Sequence, residues 1–198
     1  MKNIIAKSFT TILIAMVTFL DAQTINRYGT TTANFLEIGI GSRATSMGDA
    51  YVAVANDVSS IYWNPAGLSH VTNSSALFSI QPWLVDIDMM FAGGAFVVPS
   101  VGVIGLGITH LDYGEMDVTN LEYQDGTGER FGASDVAATF TFSRKIVSWF
   151  SFGSSMKYIS SKIWHSSASA FAVDLGVLVN TNFFSFTGKD KDLSLIHI

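Results

Sequence analysis

The chain has 198 residues, 48% of them hydrophobic and only 14% charged, with a formal net charge of −5 and a mean hydropathy of +0.36. This is more apolar than a typical soluble domain, it lacks the basic balance that a nucleic-acid partner requires, and with no cysteine it excludes disulfides as the source of stability. Beyond the N-terminus there is no apolar run long enough for a helical span, so the hydrophobicity must be distributed by alternation, as in a transmembrane β-barrel.

Lys2 and Lys7 give a positive region ahead of a mostly apolar segment, Phe9 to Leu20, and Ala22 offers a small residue before Gln23. That order is the order of a secretory signal peptide. A spanning helix needs about 20 apolar residues, whereas this segment breaks at Asp21. Residues 1–22 are therefore expected to be a removed signal. No Cys follows the small residue, which excludes a lipoprotein anchor.

Residues 23–72 are expected to form a small helical or irregular plug. Ala44, Gly48, Ala50, Ala53 and Ala55 carry small side chains suited to a narrow lumen, and Asn64-Pro65-Ala66-Gly67 is a turn string with φ fixed at Pro65. Polar groups buried there need partners. Asp49 and Asp57 are expected to pair with a lumen residue such as Lys157, and Arg43 with Asp174. The segment either nucleates and seals a barrel or moves as a gate. Its gate candidates are Arg43, Gly48, Asp49, Asp57, Asn64, Pro65, Ala66 and Gly67.

The string Ser42-Arg43-Ala44, Met47-Gly48-Asp49-Ala50-Tyr51-Val52-Ala53, Asn56-Asp57 and Tyr62-Trp63-Asn64-Pro65-Ala66-Gly67-Leu68 resembles the N-terminal signature of the PorV/PorQ family of outer-membrane proteins, relatives of the FadL long-chain fatty acid transporters. Met47-Gly48-Asp49-Ala50 and Tyr62 to Gly67 are closer to PorV/PorQ than to FadL itself. The resemblance implies a FadL-like antiparallel barrel of about fourteen strands when complete, a cleaved signal and a place in the outer membrane of a diderm bacterium. It also implies either a part in type IX secretion, with secreted cargo proteins or secretion-system components as partners, or uptake of hydrophobic small molecules. A structural or cell-surface interaction barrel is the third reading. None of these is an enzyme, and no cofactor is implied.

Strands are predicted near residues 75–82, 87–98, 101–111, 131–145, 148–162 and 168–180, about six in all. Ile104, Leu106 and Ile108 alternate with Gly105, Gly107 and Thr109, and Val136, Ala138, Phe140 and Phe142 alternate with Ala137, Thr139 and Thr141. Phe150, Phe152, Met156 and Tyr158 are expected to face lipid, with Gly153, Ser155 and Lys157 inside. In the last strand Phe171, Val173, Leu175, Val177 and Val179 lie opposite Ala170, Ala172, Asp174 and Gly176, and Leu178 is the one large apolar residue on the inner side. Lys157 and Asp174 are thus the lumen-facing candidates. A soluble sandwich would also alternate, but the face opposite the large residues would then be charged instead of Gly, Ala, Ser and Thr.

The short connections at Pro99-Ser100 and Ile146-Val147 contrast with Asp112 to Arg130, read as a long outer loop with Glu115, Asp117, Glu122, Asp125 and Glu129. These acids lack the spacing of a calcium loop. Gly39-Ile40-Gly41-Ser42-Arg43-Ala44 fits a dinucleotide fingerprint without its βαβ context. The histidines at 70, 110, 165 and 197 share no metal-ligand spacing, and no nucleophile motif supports a lipase. Residues 73–188 are read as the first half of a longer barrel, because an open half in lipid leaves unsatisfied edges. Residues 189–198 break the alternation, look like translated adapter sequence and are expected to be non-native.

Overall fold

The computed structural model describes residues 33–84 and 87–180. The expected signal peptide and C-terminal tail lie outside them. Six antiparallel strands follow one another as β1 (Ser75–Pro82), β2 (Asp88–Val98), β3 (Gly102–Asp117), β4 (Arg130–Val147), β5 (Phe150–Ile163) and β6 (Ser166–Val179). Each pairs with the next in sequence, giving one open sheet in the order β1-β2-β3-β4-β5-β6. Among the described residues, β1 and β6 each have one neighbour only, and no helix is long and apolar enough to cross a membrane.

Register converts the two-residue alternation into rows across the sheet. One row on the exposed face runs Gly94, Leu106, Phe140, Met156, Val173, and the next runs Ala92, Ile108, Ala138, Tyr158, Phe171. On the opposite face the rows read Gly105, Thr141, Ser155, Asp174 and Gly107, Thr139, Lys157, Ala172. In these rows Leu106, Ile108, Phe140, Met156, Tyr158, Phe171 and Val173 stay exposed, while on the opposite face Thr139, Thr141, Ser143, Ser151, Ser155 and Lys157 are buried. Leu178 fits this arrangement, being buried on the inner face beside the N-terminal segment's side of the sheet.

The acidic stretch from Asp112 departs from the expected loop. β3 continues to Asp117 and β4 starts at Arg130, leaving residues 118–129 as the connection. Arg130 explains the extension: its Nη1 reaches Glu115 at 2.8 Å and its Nε reaches Asp117 at 3.1 Å, across the ladder. A bulge between Asp112 and Glu115 absorbs the irregularity, with Gly114 at φ +71. The β5–β6 connection is also tighter than expected, a two-residue turn at Trp164-His165. At the other end of the sheet the connections are residues 99–101 and 148–149.

Residues 33–71 pack on the polar face as short helical segments joined by turns and short irregular stretches. They comprise a 3-10 turn at Asn34–Glu37, α1 (Ser42–Thr45), α2 (Ser60–Trp63) and a 3-10 turn at Pro65–His70. α2 stops at Trp63 because the residue before a proline is driven out of the α region, and Asn64 is extended at φ −158, ψ 108. Phe35, Ile40, Val58, Ile61 and Leu68 of this segment share one core with Met89, Phe91, Ala95, Val103, Leu111, Ala137 and Ile159 of the sheet.

Candidate functional site

The candidate site is the junction between this segment and the polar face. Its centre is Asn64, fully buried. Having been forced out of the helix, Asn64 caps the following turn: its Oδ1 accepts from the Ala66 backbone N–H at 3.0 Å. Its Nδ2 donates to Val52 O at 3.0 Å and makes a longer contact of 3.4 Å with Val177 O of β6. One side chain thereby ties together the segment's early half, its proline turn and an edge strand.

The sheet receives the turn through missing side chains. A Cβ on Gly153 would lie 2.2 Å from the Pro65 carbonyl carbon, and one on Gly176 would lie 2.3 Å from Asn64 Oδ1. Gly105 and Gly107 make room in the same way for Leu68 and Ile61. Ser143 Oγ donates to Ala66 O at 3.1 Å, fastening the turn to β4. Within the segment, a Cβ on Gly67 would meet Ala55 O at 2.2 Å. Pro65, Ala66 and Gly67 are therefore fixed on both sides.

Arg43, Gly48, Asp49 and Asp57 sit differently. Arg43 donates to Asn56 Oδ1 at 2.9 Å and stands 3.6 Å from Asp57, with both charged side chains about half exposed. Its guanidinium lies 5.3 Å from the centre of the Tyr51 ring. Asp57 also accepts from the Tyr51 hydroxyl at 3.0 Å and from the Ser59 N–H at 2.9 Å. Burial, then the Asp57 carboxylate, push the Tyr51 phenol above its ordinary value. Gly48 and Asp49 have φ of +62 and +64 and form an exposed turn.

Lys157 and Asp174 face the N-terminal segment as expected, but they pair with each other, Nζ to Oδ2 at 2.7 Å. Asp49 and Asp57 do not reach Lys157, and Arg43 does not reach Asp174. The reason is register: Ser155 is directly opposite Asp174, so Lys157 is its diagonal neighbour on the same face, whereas Arg43 meets an acid of its own segment first. Lys157 Nζ additionally lies 6.0 Å from the Tyr62 ring centre.

Two aromatic residues of the motif hold structural positions that composition did not assign. Tyr62 donates its hydroxyl toward Leu36 O and Ile38 O, at 2.6 and 2.7 Å. Trp63 Nε1 donates to Ile40 O at 3.1 Å. Both bind the chain near residues 36–40 to α2, and burial pushes the Tyr62 phenol strongly up. The nearest sequence signal was a buried-type aromatic with a polar tip beside the proline turn.

No family model matches the chain, and no curated protein matches it.

Proposed function

We propose that this chain is part of an outer-membrane β-barrel whose N-terminal segment is its plug, of the PorV/PorQ kind, acting without enzymatic chemistry on cargo at the outer membrane. The observation that carries the membrane reading is the inverted distribution of polarity. Phe171 is 76% exposed and Phe140 51%, while Thr141 and Ser143 on the other face have no exposed surface at all. In water that arrangement leaves a large apolar sheet uncovered; in lipid it is the expected solution, apolar outward and polar toward the lumen. On this reading the ends with connections 99–101 and 148–149 face the periplasm and residues 118–129 lie outside.

For the role, the tight seating of Asn64 to Gly67 favours partner handling at the rim over a path along the plug. A second reading, uptake of hydrophobic molecules, is favoured by one feature. A cavity of about 370 Å³ opens on the plug side at the loop end, lined by Tyr113, Met116, Ala133, Ile163 and Ala168 among others. There the Tyr113 hydroxyl donates to Asp135 at 2.7 Å.

The test is insertion. The complete barrel protein that carries this chain is refolded into phospholipid vesicles, and the fraction that floats with lipid and resists protease is measured for wild type, Phe140→Lys and Val173→Lys. Each lysine should cost about 2 to 4 kcal/mol at mid-membrane and reduce insertion sharply. Insertion equal to wild type in both variants would sink the membrane reading. Retention of a secreted cargo domain by the inserted protein, compared with binding of a fluorescent fatty acid, then separates the two roles.

A further inference from the structure

The two ends of the sheet differ in charge. From Val136 to Val173 the sequence holds no Asp or Glu, and none occurs from Met89 to Leu111. The described charges at the short-turn end are consequently cationic, Arg144 and Lys145 on β4. Both are exposed, and neither has a carboxylate partner among the described residues. The acids Glu115, Asp117, Glu122, Asp125 and Glu129 gather at the opposite end.

Arg144 and Lys145 border a cavity of about 390 Å³ between the β2–β3 turn and the end of the N-terminal segment, with Ser69, Ser100, Gly102 and Ser143 in its wall. Gly102, also in this wall, has a φ of +146, and a Cβ there would lie 2.5 Å from Ser143 O. The register partner of Arg144 in β5 is Phe152, on the exposed apolar face. Trp149, 57% exposed, lies in the adjacent turn. A cation at the border of an apolar band, with aromatic residues beside it, is where a lipid headgroup meets a membrane protein. Arg also presents the donor fork that matches a phosphate.

We infer that the short-turn end is a phosphate site for an anionic lipid headgroup of the adjoining leaflet, with Arg144 and Lys145 as its ligands. This rests on the membrane reading above. Arg144 holds the headgroup from the lipid-facing side, and Lys145 approaches from the plug side. The site fixes the depth of the barrel edge and leaves the loop end, rich in acids, repelled from the same lipids.

The experiment refolds the complete barrel protein that carries this chain into vesicles of phosphatidylcholine alone and of phosphatidylcholine with phosphatidylglycerol, for wild type, R144Q/K145Q and R144K/K145R. Wild type should partition into the anionic vesicles more strongly, by roughly fivefold per cation, R144K/K145R should keep most of that preference, and R144Q/K145Q should lose it while still inserting into phosphatidylcholine. Insertion with no lipid preference in wild type, or a preference unchanged in R144Q/K145Q, overturns the headgroup site and leaves the membrane reading standing. Insertion into neither vesicle overturns both. Inorganic phosphate added to the protein in a neutral detergent separates the sources: stabilisation matching that of phosphatidylglycerol assigns the site to soluble phosphate and overturns the lipid assignment.

Discussion

Gly153 lies directly opposite Gly176 in the β5–β6 ladder, and the space that two side chains would have filled is taken by the Pro65-Ala66 peptide at Gly153 and by the Asn64 side chain and Pro65 ring at Gly176. Gly153→Ala and Gly176→Ala should each destabilise the fold by about 1 to 3 kcal/mol through overpacking against backbone or a capped Asn. Gly94→Ala on the exposed face, where the nearest atom would be a Phe96 ring carbon at 3.4 Å, should be close to neutral. Urea midpoints of the three variants in detergent test the contrast; equal midpoints would remove the seat from the account.

Asn64 and Arg43 distinguish fixed from releasable parts of the segment. Asn64→Ala strands the Ala66 N–H in a buried place, costing about 1 to 3 kcal/mol, and also removes the part-buried bond to the Val52 carbonyl. Arg43→Ala removes only a half-exposed pair, worth about 1 kcal/mol at most. If the segment gates, Arg43→Ala should raise permeability to small solutes in a vesicle swelling assay with little change in stability. Unchanged permeability in Arg43→Ala would assign residues 41–57 to sealing alone.

The Lys157–Asp174 pair should behave as a buried pair. Lys157→Met or Asp174→Leu singly leaves a largely buried charge without its partner and should cost about 3 to 5 kcal/mol. The double substitution should recover most of that loss. A double-mutant cycle on denaturation midpoints checks it, and additive losses would show that the two residues act independently.

High pH should weaken the packing of the N-terminal segment. The folded Tyr62 phenol is raised above its unfolded value of 10.0, first by burial and then by Asp49 and Glu37. The folded state therefore keeps its proton longer than the unfolded state, so this stability is fully present below about pH 10 and falls as pH rises toward the folded value. Tyr62→Phe should be less stable at neutral pH by about 1 kcal/mol, from the lost hydrogen bonds, yet show a shallower decline above pH 10. Denaturation curves at stepped alkaline pH read both effects, and parallel declines would contradict this role for Tyr62.

Much of the sheet is legible in the sequence because a strand exposes its faces with a period of two, which needs no knowledge of neighbours. Phe140, Met156 and Val173 were assignable to one face, and Thr141, Ser155 and Asp174 to the other, from alternation alone. The acidic stretch was misread because Asp and Glu are poor strand formers locally, while Arg130, thirteen residues beyond Asp117, supplies the opposing charge only once β3 and β4 pair.

What the sequence determined by itself was therefore the set of strands, their two faces and the turn string at Asn64-Pro65-Ala66-Gly67. Those depend on covalent geometry, local backbone restriction and composition. Only the tertiary structure decided that Lys157 takes Asp174, that Arg43 stays with Asp57, and that Gly153 and Gly176 form one seat. Each of these depends on register and on which backbone approaches within a few ångströms across a long separation in sequence, and short-range residue preferences carry no information about either.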